Sequence, residues 1–229
     1  FDIEGLRSAA TDEDVRTLRQ TYSLPSDARI IGTVARIHPV KNLELLIQAV
    51  AILRKKYESL KCFIVGEGDE KYLEKIRNMT NELGLGDTII FTGFQENVSA
   101  FYKLFEVTVL TSRIEGLPRS VIESYAVGTP VVLPRIASTE EILDDRREGF
   151  FAEPGSPQKF AQRIAILLAN EELRQFCGEC ARARSELFTL QPYAEKLRFL
   201  YETLLDSPPP GAAAAKKKYR LRYFLTRRV

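Results

Sequence analysis

Short apolar runs alternate with helical patterns along most of the chain. Six runs of four to six residues are rich in β-branched and aromatic side chains, which is typical of buried strands. They cover 30–35, 62–65, 88–92, 107–110, 130–133 and 149–152. Between them, apolar residues recur every three or four positions, as in Tyr72, Ile76, Met79 and Leu83, which predicts amphipathic helices.

The helical patterns fall between the strands and then follow the last one. We expect helices near 43–52, 72–83, 99–104, 118–126, 156–169, 171–187 and 191–205, with a helical turn at 140–143. Strands separated by helices indicate βαβ units. The predicted fold class is therefore α/β, a doubly wound parallel sheet of Rossmann type followed by C-terminal helices. In such sheets ligands bind beyond the carboxyl ends of the strands, so function is sought in the loops there.

Composition and charge narrow the class of protein. The chain has 229 residues, of which 45% are hydrophobic and 28% charged, as in globular domains. Seven of its basic residues lie in 208–229, which has no acidic residue, so residues 1–207 carry a net charge of −5. A mildly acidic body argues against nucleic-acid binding. Of the three cysteines, Cys177 and Cys180 form a C-x-x-C, but a single histidine, His38, cannot complete a zinc site with them.

Two cations flank the loop that follows the first strand. Arg36 and Lys41 enclose Pro39, and Asn42 stands where it can cap the next helix. Two positive side chains beside a helix start form an anion site. Ordinary surface charges are the alternative interpretation at this point.

A glycine turn follows the second strand. Gly66 and Gly68 do not match a nicotinamide-cofactor fingerprint, because Lys71 stands where that motif needs a third glycine. The pattern instead predicts a tight turn whose backbone approaches a ligand.

A pair of acidic residues follows the fourth strand. Glu115 lies in the predicted loop, and Glu123 lies about two turns into the helix that Pro118 opens. Two carboxylates placed in this way can contact one elongated polar ligand. By themselves they also match coincidence on a solvated helix.

The three loops, taken in order, resemble a known family. Arg-x4-Lys at 36–41, Val-Gly-x-Gly at 65–68, Phe-Thr-Gly-Phe at 91–94 and Glu-x7-Glu at 115–123 are similar to the C-terminal domain of retaining GT-B glycosyltransferases of the group 1 (family 4) type. The segments 126–132 and 148–155 continue the match, which covers most of residues 28–205.

The resemblance implies a site for a nucleotide-diphosphate sugar, with UDP- or GDP-sugars expected, and no other cofactor. Arg36 and Lys41 would hold the diphosphate and stabilise it as it leaves, so no metal is expected. Glu115 would contact hydroxyls of the transferred sugar, and Glu123 the ribose. The other predicted binding residues would line the sugar, phosphate and base: Gly66, Phe94, Gln95, Leu117, Pro118 and Arg119.

The implied function is transfer of the sugar, with retention of configuration, to a saccharide or lipid-linked acceptor. Family members often have glycine where Pro118 stands, so any ligation by that amide must shift to neighbouring N–H groups. A non-catalytic nucleotide-sugar-binding subunit and a nucleotide-sugar epimerase are the alternatives.

The expected organisation has three parts. Residues 1–27 form a linker and helix, 28–206 the donor-binding domain, and 207–229 a Pro/Ala-rich linker with a basic tail. The chain begins at Phe1 and has one methionine, Met79, so we expect an N-terminal acceptor domain in the same protein and no activity without it. The predicted location is cytoplasmic. The tail is either a solvated extension or a contact with anionic lipid at the inner face of the membrane.

Overall fold

A computed structural model of the protein describes residues 1–205. This part of the chain contains six strands, ten α-helices and two short 3-10 helices. The strands are β1 (Arg29–Val34), β2 (Leu60–Val65), β3 (Ile89–Gly93), β4 (Val107–Val109), β5 (Val131–Pro134) and β6 (Gly149–Ala152). The helices are α1 (Ile3–Ser8), α2 (Asp12–Thr21), α3 (Leu43–Arg54), α4 (Glu70–Glu82), α5 (Val98–Leu104), α6 (Arg119–Val127), α7 (Ala137–Glu140), α8 (Pro157–Ala169), α9 (Glu171–Ser185) and α10 (Leu190–Leu205). The predicted basic tail lies outside the described residues.

All six strands form one parallel sheet in the order β3-β2-β1-β4-β5-β6. This confirms the predicted doubly wound α/β fold. The order reverses between β1 and β4, where Ile31 pairs with Val107 and Gly32 with Thr108. A ligand crevice is expected at the carboxyl ends of these two strands, because the helices that follow them depart to opposite faces of the sheet.

The core lies on both faces of the sheet. Side chains alternate along a strand, so neighbouring residues of β1 enter different clusters. Ile31 packs in a cluster with α3, α4 and α8, whereas Ile30 packs with α2 and α5. A third cluster joins α6 and α9 to β5 and β6. This two-sided burial explains why the strands are apolar throughout instead of alternating with polar residues.

Two compact units are present, Phe1–Phe188 and a second that begins at Thr189. The first includes α1 and α2, which pack on α6 and α5. The second includes α10, on which Leu190, Tyr193 and Phe199 are exposed. The domain boundaries drawn from the sequence stay predictions. Within residues 1–205, no helix combines the length and apolar character that crossing a bilayer requires.

One short helix lies earlier than predicted. α7 spans Ala137–Glu140, whereas the sequence suggested a turn at 140–143. Thr139 is the physical reason: its hydroxyl donates to the Pro134 carbonyl at 2.5 Å and accepts from the Ile136 N–H at 3.1 Å. These bonds start the helix directly after Ile136.

The C-x-x-C pair lies inside α9. Its two thiols and that of Cys62 are free. Cys177 is fully buried, and burial raises the pKa of its thiol to about 11. Among residues 1–205, no group of three or more His, Cys, Asp or Glu side chains is arranged to hold a metal ion.

The glycine turn after β2 approaches the chain itself. Gly66 has a φ of +132°, and a Cβ on it would lie 2.2 Å from the Ala35 carbonyl oxygen. Gly68 stands equally close to the Ile37 carbonyl oxygen. Backbone bonds from Ala35 to Val65 and from Ile37 to Glu67, both 2.9 Å, hold the two loops together. The tight turn is as expected, and it also approaches the loop after β1; its predicted close approach to a ligand stays a prediction.

Gly66→Ala is therefore expected to lower the free energy of unfolding by about 2 kcal/mol or more, from steric overlap and a backbone conformation that alanine disfavours. Gly86→Ala is the control, because the nearest atom to its new Cβ is 3.8 Å away, and about 0.5 kcal/mol or less is expected. Urea unfolding measures both. Equal stability of the two variants would contradict the packing described for the turn.

Candidate functional site

A cavity of about 460 Å³ lies at the carboxyl ends of β1, β2, β3 and β4. The structure brings every predicted site residue to its wall. They are Arg36, Lys41, Gly66, Phe94, Gln95, Glu115, Leu117, Pro118, Arg119 and Glu123. The roles assigned to them from the sequence stay predictions.

The loop after β1 presents both predicted cations. Arg36 is exposed, and no carboxylate among the described residues pairs with it. Lys41 ends a 3-10 turn, Pro39–Lys41, in which His38 Nδ1 accepts from the Val40 N–H at 3.2 Å. His38 thus has a local capping contact.

An ion pair at the cavity wall joins the loop after β1 to the loop after β4. Lys41 Nζ lies 2.6 Å from Glu115 Oε1, and the two side chains are 22% and 9% exposed. Two further bonds join the same loops: the Arg113 N–H donates to the Val40 carbonyl and the Thr111 hydroxyl to the Lys41 carbonyl, each at 2.9 Å. The positions of Lys41 and Glu115 are therefore set jointly.

Asn42 does not cap α3 through its side chain, contrary to prediction. The residue is left-handed (φ 51°, ψ 48°), and its Oδ1 accepts from Arg113 Nη2 at 3.4 Å. Tyr72 of α4 serves the helix start instead, since its hydroxyl accepts from the Leu43 N–H at 2.9 Å and donates to Glu44. Burial and the Glu44 carboxylate raise the pKa of Tyr72, so the hydroxyl remains a donor.

The start of α6 forms another part of the wall. Pro118, the predicted first residue of the helix, instead occupies the N-cap position, so α6 begins one residue later at Arg119, and no side chain caps the helix. The N–H groups of a first helical turn have no intrahelical acceptor, and together with the helix dipole they favour an anion. Arg119 and Ser120, which carry the first two of these groups, line the cavity. The helix ends at Val127, one residue beyond the predicted end, and the left-handed Gly128 follows it.

Glu123 lines the cavity from the second turn of α6. Its Oε2 accepts from the Tyr102 hydroxyl at 3.0 Å, and its Oε1 lies 3.9 Å from Arg119 Nη2. Tyr102 is fully buried and was not identified from the sequence. The signal that could have identified it is a hydroxyl on an apolar helix face, because a buried phenol usually has a hydrogen-bond partner.

The rim of the cavity is apolar. Phe94 is 68% exposed and Leu117 53% exposed, which is unusual for such large side chains. Gln95 is held at the rim by a bond from its Nε2 to the Thr92 carbonyl at 3.1 Å. Phe94 and Leu117 thus offer apolar surface against which a ring or the apolar face of a sugar can pack.

The cavity therefore combines three kinds of polar group. Cations and an uncapped helix start bind oxyanions, and carboxylates accept hydrogen bonds from hydroxyls. This arrangement suits a ligand that carries phosphate and several hydroxyl groups. A comparison with known families supports this description, because the family model described as "Glycosyl transferases group 1" matches residues 14–184.

The chain belongs to the group 1 glycosyl transferases. D-inositol 3-phosphate glycosyltransferase of Corynebacterium urealyticum is 26% identical over 93% of the chain and 51% of its own length. Putative glycosyltransferase EpsD of Bacillus subtilis is 28% identical over 90% of the chain and 53% of its own length. The chain thus spans about half the length of the curated relatives it matches.

Among solved structures, Anabaena HepE in complex with UDP has a TM-score of 0.82 and 22% identity. The match covers 89% of this chain and 56% of HepE. HepE has also been solved with UDP-glucose. These glycosyltransferase neighbours confirm the fold expected of one half of a GT-B architecture.

The Lys41–Glu115 pair is expected to contribute about 1 kcal/mol of coupling to stability, because both groups are largely removed from water. A double-mutant cycle with Lys41→Met and Glu115→Gln, followed by urea unfolding, measures it. Arg135→Met with Glu140→Gln is the matched control, since that pair is half exposed at 3.3 Å and should couple weakly. Equal coupling energies at the two pairs would contradict the conclusion that the Lys41–Glu115 pair is shielded from water.

Proposed function

We propose that this chain is the donor-binding half of a glycosyltransferase that uses a nucleotide-diphosphate sugar. The sugar passes to a saccharide or lipid-linked acceptor with retention of anomeric configuration. Transfer requires an acceptor-binding domain in addition to this chain, which alone binds donor without catalysis.

One observation carries the proposal. A single cavity at the strand-order reversal holds two cations from β1's loop, two carboxylates from β4's loop and α6, and the uncapped start of α6. A donor presents matching groups along its length: a diphosphate, a ribose and a sugar.

In this proposal the cations act on the leaving group. Bond cleavage between the sugar carbon and the diphosphate leaves additional negative charge on phosphate oxygen. Arg36, Lys41 and the first N–H groups of α6 stabilise that charge, which a divalent metal does in other enzymes. We therefore propose transfer without a metal. Glu115 accepts hydrogen bonds from the sugar and Glu123 from the ribose.

The solved neighbours support the choice of nucleotide. HepE, whose fold this chain shares, binds UDP and UDP-glucose in its solved structures. UDP is therefore the first ligand to test, with GDP and ADP beside it.

Calorimetry of the 229-residue chain is expected to show binding of at least one of UDP, GDP and ADP, unchanged by EDTA. Arg36→Ala should weaken that binding about tenfold, since a charge-assisted bond to phosphate is lost. Lys71→Ala is the control, because Lys71 is an exposed cation at the start of α4 outside this cavity.

Two results would oppose the proposal. If the folded chain binds none of the three nucleotides, the cavity is not a donor site. If Arg36→Ala and Lys71→Ala weaken binding equally, attraction is general and the loop after β1 does not form the phosphate site.

Glu115→Gln is expected to have opposite effects on the two ends of a donor. It frees Lys41 and removes a negative charge, so the nucleoside diphosphate should bind about threefold more tightly. The extra affinity that the sugar of UDP-glucose adds to UDP should fall, because the amide accepts fewer hydrogen bonds. Paired titrations with UDP and UDP-glucose measure both. Weaker binding of UDP itself would contradict the competition between Glu115 and the phosphate for Lys41.

A further inference from the structure

We propose that Tyr102 is a positioning residue of the nucleotide site, which fixes the Glu123 carboxylate for recognition of the ribose hydroxyls. The inference rests on the proposed function. Tyr102 does not line the cavity, so it acts on the ligand through Glu123.

Tyr102 contacts Glu123 directly, through one of the two carboxylate oxygens. The Tyr102 hydroxyl donates to Glu123 Oε2 at 3.0 Å across the interface of α5 and α6. A carboxylate has about four acceptor positions, and this bond occupies one of them. Oε1 and the second lone pair of Oε2 remain for a ligand. Two adjacent ribose hydroxyls need two acceptors in a fixed arrangement, which a freely rotating carboxylate provides poorly.

Tyr102 itself is held through its ring and through its backbone carbonyl. Its ring is fully buried and packs edge-to-face with Phe105 at a centroid distance of 6.3 Å. Its carbonyl accepts from the Thr129 hydroxyl at 2.6 Å. A donor fixed at both ends of the residue transmits a defined position to its acceptor.

The second neighbour of Glu123 is much less restrained. Arg119 lies 3.9 Å from Oε1, and its side chain is 76% exposed. It also lies over the Phe1 ring at 5.6 Å. An exposed guanidinium at this distance leaves the carboxylate free to rotate, so the orientation of Glu123 depends mainly on Tyr102.

The hydroxyl remains a donor at all ordinary pH values. Burial, followed by the charge of Glu123, raises the pKa of Tyr102 well above its usual value. The preceding residue, Phe101, is also buried and fills its space without a hydroxyl. Packing of α5 therefore explains an aromatic ring at 102, and the Glu123 contact explains the phenol.

The test compares nucleotides with and without ribose hydroxyls. Probes are UDP, GDP and ADP with their 2′,3′-dideoxy forms, titrated into the wild-type chain and Tyr102→Phe. The wild type should bind the dideoxy form of its nucleotide about tenfold more weakly. In Tyr102→Phe the affinity for the ribose form should fall about threefold to tenfold while that for the dideoxy form is unchanged.

Tyr125→Phe is the matched control. Tyr125, on α6 itself, is also fully buried, but it packs in the cluster with α9, β5 and β6, and its hydroxyl donates to the Ile142 carbonyl at 3.2 Å. This variant should leave both affinities unchanged. Both substitutions keep the ring, and unfolding in urea checks that each protein is folded.

A cycle with Glu123→Ala, which removes the acceptor, shows the route of the effect. Tyr102→Phe should cost no further ribose affinity once Glu123 is Ala. An equal loss in both backgrounds overturns the inference, as does a wild type that binds ribose and dideoxy forms equally. Unchanged ribose preference in Tyr102→Phe overturns it while the proposed function stands. Failure of the wild type to bind any nucleotide instead overturns the proposed function.

Discussion

The pairing of β1 with β4 is the constraint on which the rest of the structure depends. It places two strands side by side that are separated in sequence by two βα units and sends their following helices to opposite faces. Within Phe1–Phe188 the carboxyl ends of these strands therefore open into the cavity. Lys41 and Glu115, 74 positions apart in the chain, meet there at 2.6 Å. The cavity is thus a consequence of strand order before any side chain is considered.

Charge at the cavity is already balanced within the protein. Lys41 is paired with Glu115, so the positive potential available to a ligand comes from Arg36 and the start of α6. An anion that binds Lys41 must share it with a carboxylate, whereas Arg36 has no carboxylate partner among the described residues. Affinity for phosphate alone is thereby limited, and a ligand that also satisfies Glu115 with hydroxyl groups gains relative to one that does not.

The sequence was sufficient for the fold and for ten residues of the cavity wall, but it did not identify others there, such as Glu67 and Ser120. Apolar runs identify strands because both faces of this sheet are buried, and motif order identifies the loops. Contacts between those loops could not be read in the same way. Asn42 faces Arg113 and Gly66 meets Ala35 because of the strand register and the side-chain rotamers. The hydrophobic periodicity of one segment carries no information about the segment that packs against it.

Two buried tyrosines contact residues at or next to the cavity wall from within the core. The Tyr72 hydroxyl supports the start of α3, directly after Lys41, and the Tyr102 hydroxyl contacts Glu123 on the other side of the cavity. Each belongs to a helix that follows a neighbouring strand, β2 or β3, and neither lines the cavity. The groups that orient the site therefore lie in the core, where packing limits movement. The rim at Phe94 and Leu117 is exposed, so packing restrains it less than it restrains the two tyrosines.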